Sequence, residues 1–276
     1  MAWLGAAPFL VYVGLFLLFP TAIAVAGAFA GPHGPTFANI AALNQGYIRT
    51  AFLNSVVLSA ASAAIGAVFG ALLAYALATG KPTGPLRRLV TSACGVLAQF
   101  GGVTLAFAFI ATIGGAGLIY TWLQSHGIDL YSGGVWLYKV PGLVLVYAYF
   151  QIPLMVLVFL PALDGIRPQW REATESLGGG TWQYWRHVAG PLLRPAFVGA
   201  ALLLFANAFS AYATAAALVD QGGIVVPLQI SNALTSEVGL VQVNLAQALA
   251  LGMVVVVAAV MALYFQLQRR TAKWLR

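Results

Sequence analysis

Val254-Val255-Val256-Val257-Ala258-Ala259-Val260 is apolar at every position. A half-buried strand would alternate polar and apolar residues, and a water-facing helix would carry a polar stripe. This run has neither, so no face of it is designed to meet water. It belongs to a longer apolar span, about Val243 to Leu267, and five more precede it: about Trp3–Phe29, Phe52–Thr79, Leu89–Ile113, Val140–Leu163 and Pro195–Val219. Each reaches the roughly 20 residues that a helix needs to cross a hydrocarbon core.

Composition agrees. Of 276 residues, 61% are hydrophobic and 7% charged, and the mean hydropathy is +0.90. A soluble domain carries about 25% charge, because its surface must be covered with polar groups. Only helices and closed barrels satisfy backbone polar groups in lipid. Barrel strands would appear as stretches of about 10 residues with alternating polarity, and this chain has none. The expectation is an all-α polytopic membrane protein with about six transmembrane helices, a single domain over 1–276. Gly66 and Gly70, with three residues between them, offer a small-residue face for close helix contact.

Thirteen basic residues set the orientation. Lys81, Arg87 and Arg88 follow the second span. Arg167, Arg171, Arg186 and Arg194 follow the fourth, and Arg269, Arg270, Lys273 and Arg276 form the tail. Only Arg49 and Lys139 lie on the other side, so eleven against two predicts that both termini are cytoplasmic. The N-terminus has no positive region before its apolar span, which suggests a retained helix and not a cleaved signal. The single cysteine, Cys94, excludes an intrachain disulfide. His33, His126 and His187 fall in three separate loops and predict no metal site.

The loop from Asp164 to Pro191 is unlike the rest. Pro168 suits the first turn of a helix, and Arg171 and Glu175 share one face of it. Gly178 suits a left-handed cap, and the Thr181 hydroxyl suits the start of a second short helix. Gly190-Pro191 is expected to break the chain before the fifth span. Composition alone would allow a plain surface loop, with Trp170, Trp182 and Trp185 lying at the headgroups.

The spacing in this loop resembles the EAA loop of ABC importer permeases: Glu-Ala-Ala, three residues, Gly, nine residues, an aliphatic residue, one residue, Leu and Pro. Here it reads Glu172-Ala173-Thr174, Gly178, Val188 and Gly190-Pro191, departing at Thr174 and Gly190. Phe52-Leu53-Asn54-Ser55, Pro191-Leu192-Leu193-Arg194-Pro195 and Phe205–Thr214 are also similar to such permeases, the last to spermidine/putrescine-type members. The resemblance covers Phe52 to the C-terminus. It implies a type I (MetI-like) permease core and a coupling site at Arg167, Arg171, Glu172, Ala173, Thr174, Glu175, Gly178, Val188 and Pro191. It implies as partners a cytoplasmic ABC ATPase dimer that carries ATP and magnesium, a second and related permease chain, an extracytoplasmic solute-binding protein and membrane lipid. No nucleic acid and no cofactor on this chain are expected.

The residues themselves limit the chemistry. Gly178-Gly179-Gly180 lacks the Lys and Ser/Thr of a phosphate-binding loop, so hydrolysis must come from another subunit and the chain is expected not to be an enzyme. Asp129, Asp220 and Glu237 fall in outer loops. Ion-coupled carriers keep a carboxylate at bilayer depth, and an intramembrane enzyme needs a buried nucleophile and base. Neither appears, nor the filter segments of a channel. Asn54, Gln99, Tyr149, Gln151, Asn207, Ser210 and Tyr212 are the polar candidates to line a pathway, with interhelical hydrogen bonding as their ordinary use. The expected solute is a polyamine or similar small molecule; ferric iron, thiamine, phosphonate or an oxyanion are the alternatives.

Overall fold

A computed structural model describes residues 2–31, 34–80, 84–219, 222–235 and 242–272, with side chains from 7 to 266 within those ranges. His33, Lys81, Asp220, Glu237, Lys273 and Arg276 lie outside the described residues, as do the side chains of Arg269 and Arg270. Among the described residues six helices are long and apolar enough to cross a membrane: Ala7–Ala28, Gly46–Thr79, Gly102–Ser125, Val140–Asp164, Thr181–Ser210 and Val243–Gln266. The all-α membrane fold expected from the sequence is the fold observed.

The chain divides into two compact units, Met1–Asn54 with Gln221–Ala259, and Ser55–Asp220 with Val260–Arg276. In the first, α1 (Ala2–Val13) joins α2 (Phe19–Ala28) through a π turn at Gly14–Leu18. A two-residue hairpin pairs Ala30 with Pro35, and α3 (Ala38–Ala42) follows. The start of α4 (Gly46–Thr79) packs here against α13 (Val226–Thr235) and α14 (Val243–Ala272). Ile48, Ala51, Val226 and Leu249 form the core, and Gly252 leaves room for the Phe52 ring. Side-chain amides satisfy the irregular backbone: Asn39 and Asn244 donate to the Ala30 carbonyl, and Asn54 donates to that of Ile224 at 3.0 Å.

The second unit is built on α8 (Val140–Asp164), the most buried of the six spans. Gly66 and Gly70 of α4 press against it. A Cβ on Gly66 would lie 2.7 Å from the Gln151 Cβ, and one on Gly70 would lie 2.4 Å from the Met155 Cβ. The small-residue spacing is therefore a helix-to-helix contact, with Gly66 over Gln151 and Gly70 over Met155, one turn apart on both helices.

Two expected spans are interrupted. The stretch Leu89–Ile113 divides into α5 (Pro85–Leu97) and α6 (Gly102–Ile113), because Gly101 is extended and Gly102 takes φ +73°. After Gly114–Gly117 the chain continues as α7 (Leu118–Ser125), so α6 and α7 make the crossing. The stretch Pro195–Val219 ends its long helix at Ser210 and resumes as α12 (Ala213–Leu218).

Gly190-Pro191, by contrast, does not break the chain. The short α10 (Thr181–Tyr184) runs through a π turn at Trp185–Ala189 directly into α11 (Gly190–Ser210). A proline ring would clash with the carbonyl four residues back. Widening the turn relieves the clash, and Gly190 N–H bonds instead to the Trp185 carbonyl, five back. The same solution precedes Pro20, where Phe19 N–H bonds to the Gly14 carbonyl.

At the loop end of α8, Asp164 pairs with Arg87 in the first turn of α5. Each charge sits at the wrong helix end, an acid at a C-terminus and a base at an N-terminus, at a cost of about 0.3–1 kcal/mol apiece. Their pairing offsets both. Asp164→Arg alone should lower the melting temperature in detergent, and Arg87→Asp with Asp164→Arg should restore or exceed it, since both charges then match their dipoles; a double variant no better than the single would refute this account. Gly70→Ala should cost about 1–3 kcal/mol through overpacking. Gly95→Ala, with no atom within 4 Å of the new methyl, should instead gain up to about 1 kcal/mol. Thermal unfolding of the two variants side by side checks the contrast.

Candidate functional site

The loop after α8 begins with Gly165-Ile166-Arg167. Arg167 is extended (φ −78°, ψ 132°), as the residue before a proline tends to be, and Pro168 opens α9 (Pro168–Ser176). Arg171 Nε lies 3.0 Å from Glu175 Oε1 on the exposed face. Such an exposed pair contributes about 0.3–0.5 kcal/mol, enough to favour the helix and too little to fix it elsewhere. Thr174 and Ser176 turn their hydroxyls back onto the Trp170 and Glu172 carbonyls.

Gly178 closes α9 at φ +79°. Its N–H bonds to the Glu175 carbonyl at 3.0 Å, and Gly179 N–H bonds to that of Thr174 at 2.8 Å. These are the two bonds of a Schellman cap, which fixes the angle at which the chain leaves the helix. Thr181 does not cap the next helix. Gly180 holds that position, and the Gln183 side chain three residues on accepts the Gly180 N–H at 2.7 Å. The three glycines leave Gly180 free to take the cap position, and the longer glutamine side chain reaches back over the turn.

The structure thus gathers Arg167, Arg171, Glu172, Ala173, Thr174, Glu175 and Gly178 on one short helix and its cap. Glu172 and Ala173 are exposed. Val188 and Pro191 lie apart from that helix, in the π turn and the first turn of α11. Leu177, which motif spacing passed over, is 89% exposed beside Gly178, and Trp182 is 73% exposed beyond it. A large apolar side chain this bare next to a rigid cap is the signal that spacing alone could not give. Trp185 is held differently, its ring edge-on to Tyr75 of α4 at 5.3 Å.

The two helix breaks in the spans meet. Gly102 N–H, at the start of α6, donates to Thr214 Oγ1 of α12 at 2.9 Å, and the Tyr147 hydroxyl of α8 donates to the Ala211 carbonyl at 2.9 Å. Around them lies a cleft of about 320 Å³ that brings together Gln99, Asn207, Ser210 and Tyr212. The other polar candidates lie elsewhere. Asn54 is bonded to Ile224 within the first unit. Gln151 is fully buried and ties α8 to α11 by donating to the Leu204 carbonyl at 2.8 Å. Tyr149 packs edge-on to Phe109 at 6.0 Å. Thr214 and Tyr147 were missed because an apolar stretch read by hydropathy alone gives no sign that its backbone is broken; the adjacent Gly101-Gly102 was the available hint. Apart from the Tyr212 phenol, no ionisable side chain lines the cleft.

No protein-family profile matches the chain. It is 26% identical over 207 residues to the sulfate transport system permease protein CysW of Synechocystis, covering 75% of this chain and 71% of that one. It is 27% identical over 203 residues to the trehalose transport system permease protein SugB of Mycobacterium tuberculosis, covering 73% and 67%. Among solved structures, a bacterial ABC transporter for import of the acidic polysaccharide alginate superimposes with a TM-score of 0.78 at 19% identity, covering 97% of this chain and 96% of that one. The alginate transporter in complex with its alginate-bound periplasmic protein gives 0.74 at 17% identity, covering 98% and 94%. The chain has the all-α, six-span fold of a membrane-spanning ABC importer permease.

Proposed function

We propose that the chain is the permease subunit of a binding-protein-dependent ABC importer, forming half of a translocation pathway and coupling it to a separate ATPase. One observation carries this reading: an exposed, rigidly capped helix, α9, with the EAA-like spacing, in the basic loop between the fourth and fifth spans. A helix that serves only its own fold buries a face. This one exposes Glu172, Ala173 and Leu177 and invests a Schellman cap in its direction.

The mechanism follows from how α9 is attached. At one end three residues, Gly165 to Arg167, link it to α8. At the other, Gly178–Gly180 turn the chain into a helix that continues without interruption through α11. A push on α9 by an ATPase that closes on nucleotide reaches the fifth span as motion of one stiff rod. Arg167, Arg171, Glu172 and Glu175 supply the polar rim of the contact, and Ala173, Thr174 and Leu177 its apolar centre. Val188 and Pro191 shape the root through which the motion passes. ATP and magnesium belong to the partner.

The partners in this reading are an ABC ATPase dimer, a second and related permease chain and an extracytoplasmic binding protein. The membrane is the bacterial inner membrane, with both termini on the ATPase side. The cleft at the paired helix breaks is this subunit's part of the pathway. Amides and hydroxyls at Gln99, Asn207 and Ser210 suit a solute in passage and make no fixed charge site. The resemblance over Phe205–Thr214 puts a polyamine first among solutes to test, before ferric iron, thiamine, phosphonate and oxyanions.

Leu177→Asp should weaken ATPase association by roughly tenfold or more, the effect of losing an interface anchor, and Ala173→Trp should do so by steric block. Both are read as the ATPase retained on the purified membrane complex. Glu172→Ala with Gly178→Pro should abolish substrate-stimulated hydrolysis. Undiminished ATPase retention in the first two variants, with intact stimulation in the third, rules out α9 as the coupling element.

A further inference from the structure

A groove of about 540 Å³ runs along the loop-side end of the second unit, between α4, α8 and the root of α11. Its floor is Phe159, Leu163 and Leu193, all buried. Val68, Leu72 and Tyr75 form one wall, spaced as a single helical face, and remain exposed. Arg194 is the only charged residue lining it. Among the described residues Arg194 forms no ion pair and no side-chain hydrogen bond.

The geometry points to a binding site for one anionic phospholipid, with an acyl chain along the groove and the phosphate on Arg194. Depth supports this. Arg194 lines the groove nine residues beyond Trp185 in the continuous helix, and Tyr75 lies one turn before the end of α4 at Thr79, about 6 Å inside that helix end. That is where amphipathic aromatic rings and basic side chains meet the headgroups. The Tyr75–Trp185 pair closes the groove at its loop-side end, with ring centroids 5.3 Å apart. The volume lies within the range of pockets that enclose a small ligand. Basic pockets between membrane helices are suited to anionic headgroups.

Charge also selects lipid over a helix from a second copy of this chain. A membrane helix of such a copy would have to bring a carboxylate into the groove to satisfy Arg194, and the membrane-spanning segments of this sequence carry none except Asp164, which already pairs with Arg87. A bound phosphate would pin the root of α11 beside the π turn.

The test uses the full chain with its co-purifying subunits in nanodiscs of phosphatidylcholine with or without phosphatidylglycerol. Retained lipid is read by native mass spectrometry. The wild type should hold phosphatidylglycerol selectively. Arg194→Gln should lower that occupancy about fivefold, the factor expected for one basic side chain at an anionic surface. Arg186→Gln removes the same charge from the π turn outside the groove and should leave occupancy unchanged. Leu72→Trp, which fills the groove and keeps Arg194, should also displace the lipid. Equal occupancy in Arg194→Gln and Arg186→Gln would overturn the proposal, and so would disulfide trapping of Leu72→Cys to a neighbouring permease subunit. Lipid occupancy is scored without ATPase activity, so failure here is separate from failure of the importer reading.

Discussion

The governing constraint is that a backbone N–H or C=O inside a bilayer must find a partner within the protein, since no water is there to supply one. Continuous helices meet it automatically. Among the described residues two departures from continuous helix lie side by side, and each is repaired by a specific hydroxyl. Thr214 accepts the N–H of Gly102, and Tyr147 donates to the Ala211 carbonyl. The two breaks lie together, so a few side chains stabilise both and leave a polar cleft between them. Irregular backbone of this kind is tolerated only where it is buried in protein or lines a cavity.

Proline is handled by the same rule. Pro20 and Pro191 would each leave a carbonyl unpaired and a ring in collision within an α-helix. In both places the preceding residue bonds five back, to Gly14 and to Trp185. Hydrophobic helix length is preserved and the backbone stays satisfied. The sequence reading took Gly190-Pro191 as a break because proline usually ends a helix in water, where freed carbonyls find solvent. Here the wider turn keeps the carbonyls paired within the helix instead.

That difference marks the limit of what could be read in advance. The number of spans, the helical class and the close contact at Gly66 and Gly70 were legible, because hydropathy and small-residue spacing report directly on burial. So were Pro168 at the start of α9 and Gly178 at its cap, since each rests on a single local dihedral requirement. The cleft was only half legible. Gln99, Asn207, Ser210 and Tyr212 stood out as polar residues, but nothing local separated them from Gln151, which serves a plain interhelical bond. The exposure of Leu177 and the pairing of Arg87 with Asp164 depend on tertiary placement, which one-dimensional patterns do not encode.

The helix that continues through Gly190-Pro191 changes how force can pass. A chain broken at that point would let α9 and α10 swing as a loose unit, and motion of the loop would dissipate at the joint. Instead the joint lies earlier, at Gly178–Gly180, where the Schellman cap sets one angle and the Gln183 side chain sets the start of the next helix. Beyond it, α10, the π turn and α11 form one stretch from Thr181 to Ser210, and that stretch ends at the break that borders the cleft. The other end of α9 reaches Asp164 through three residues, and Asp164 is tied to α5. The helix α9 is thus attached to both α5 and α11, whose C-terminal ends lead into that same cleft, at Gln99 and at Ser210.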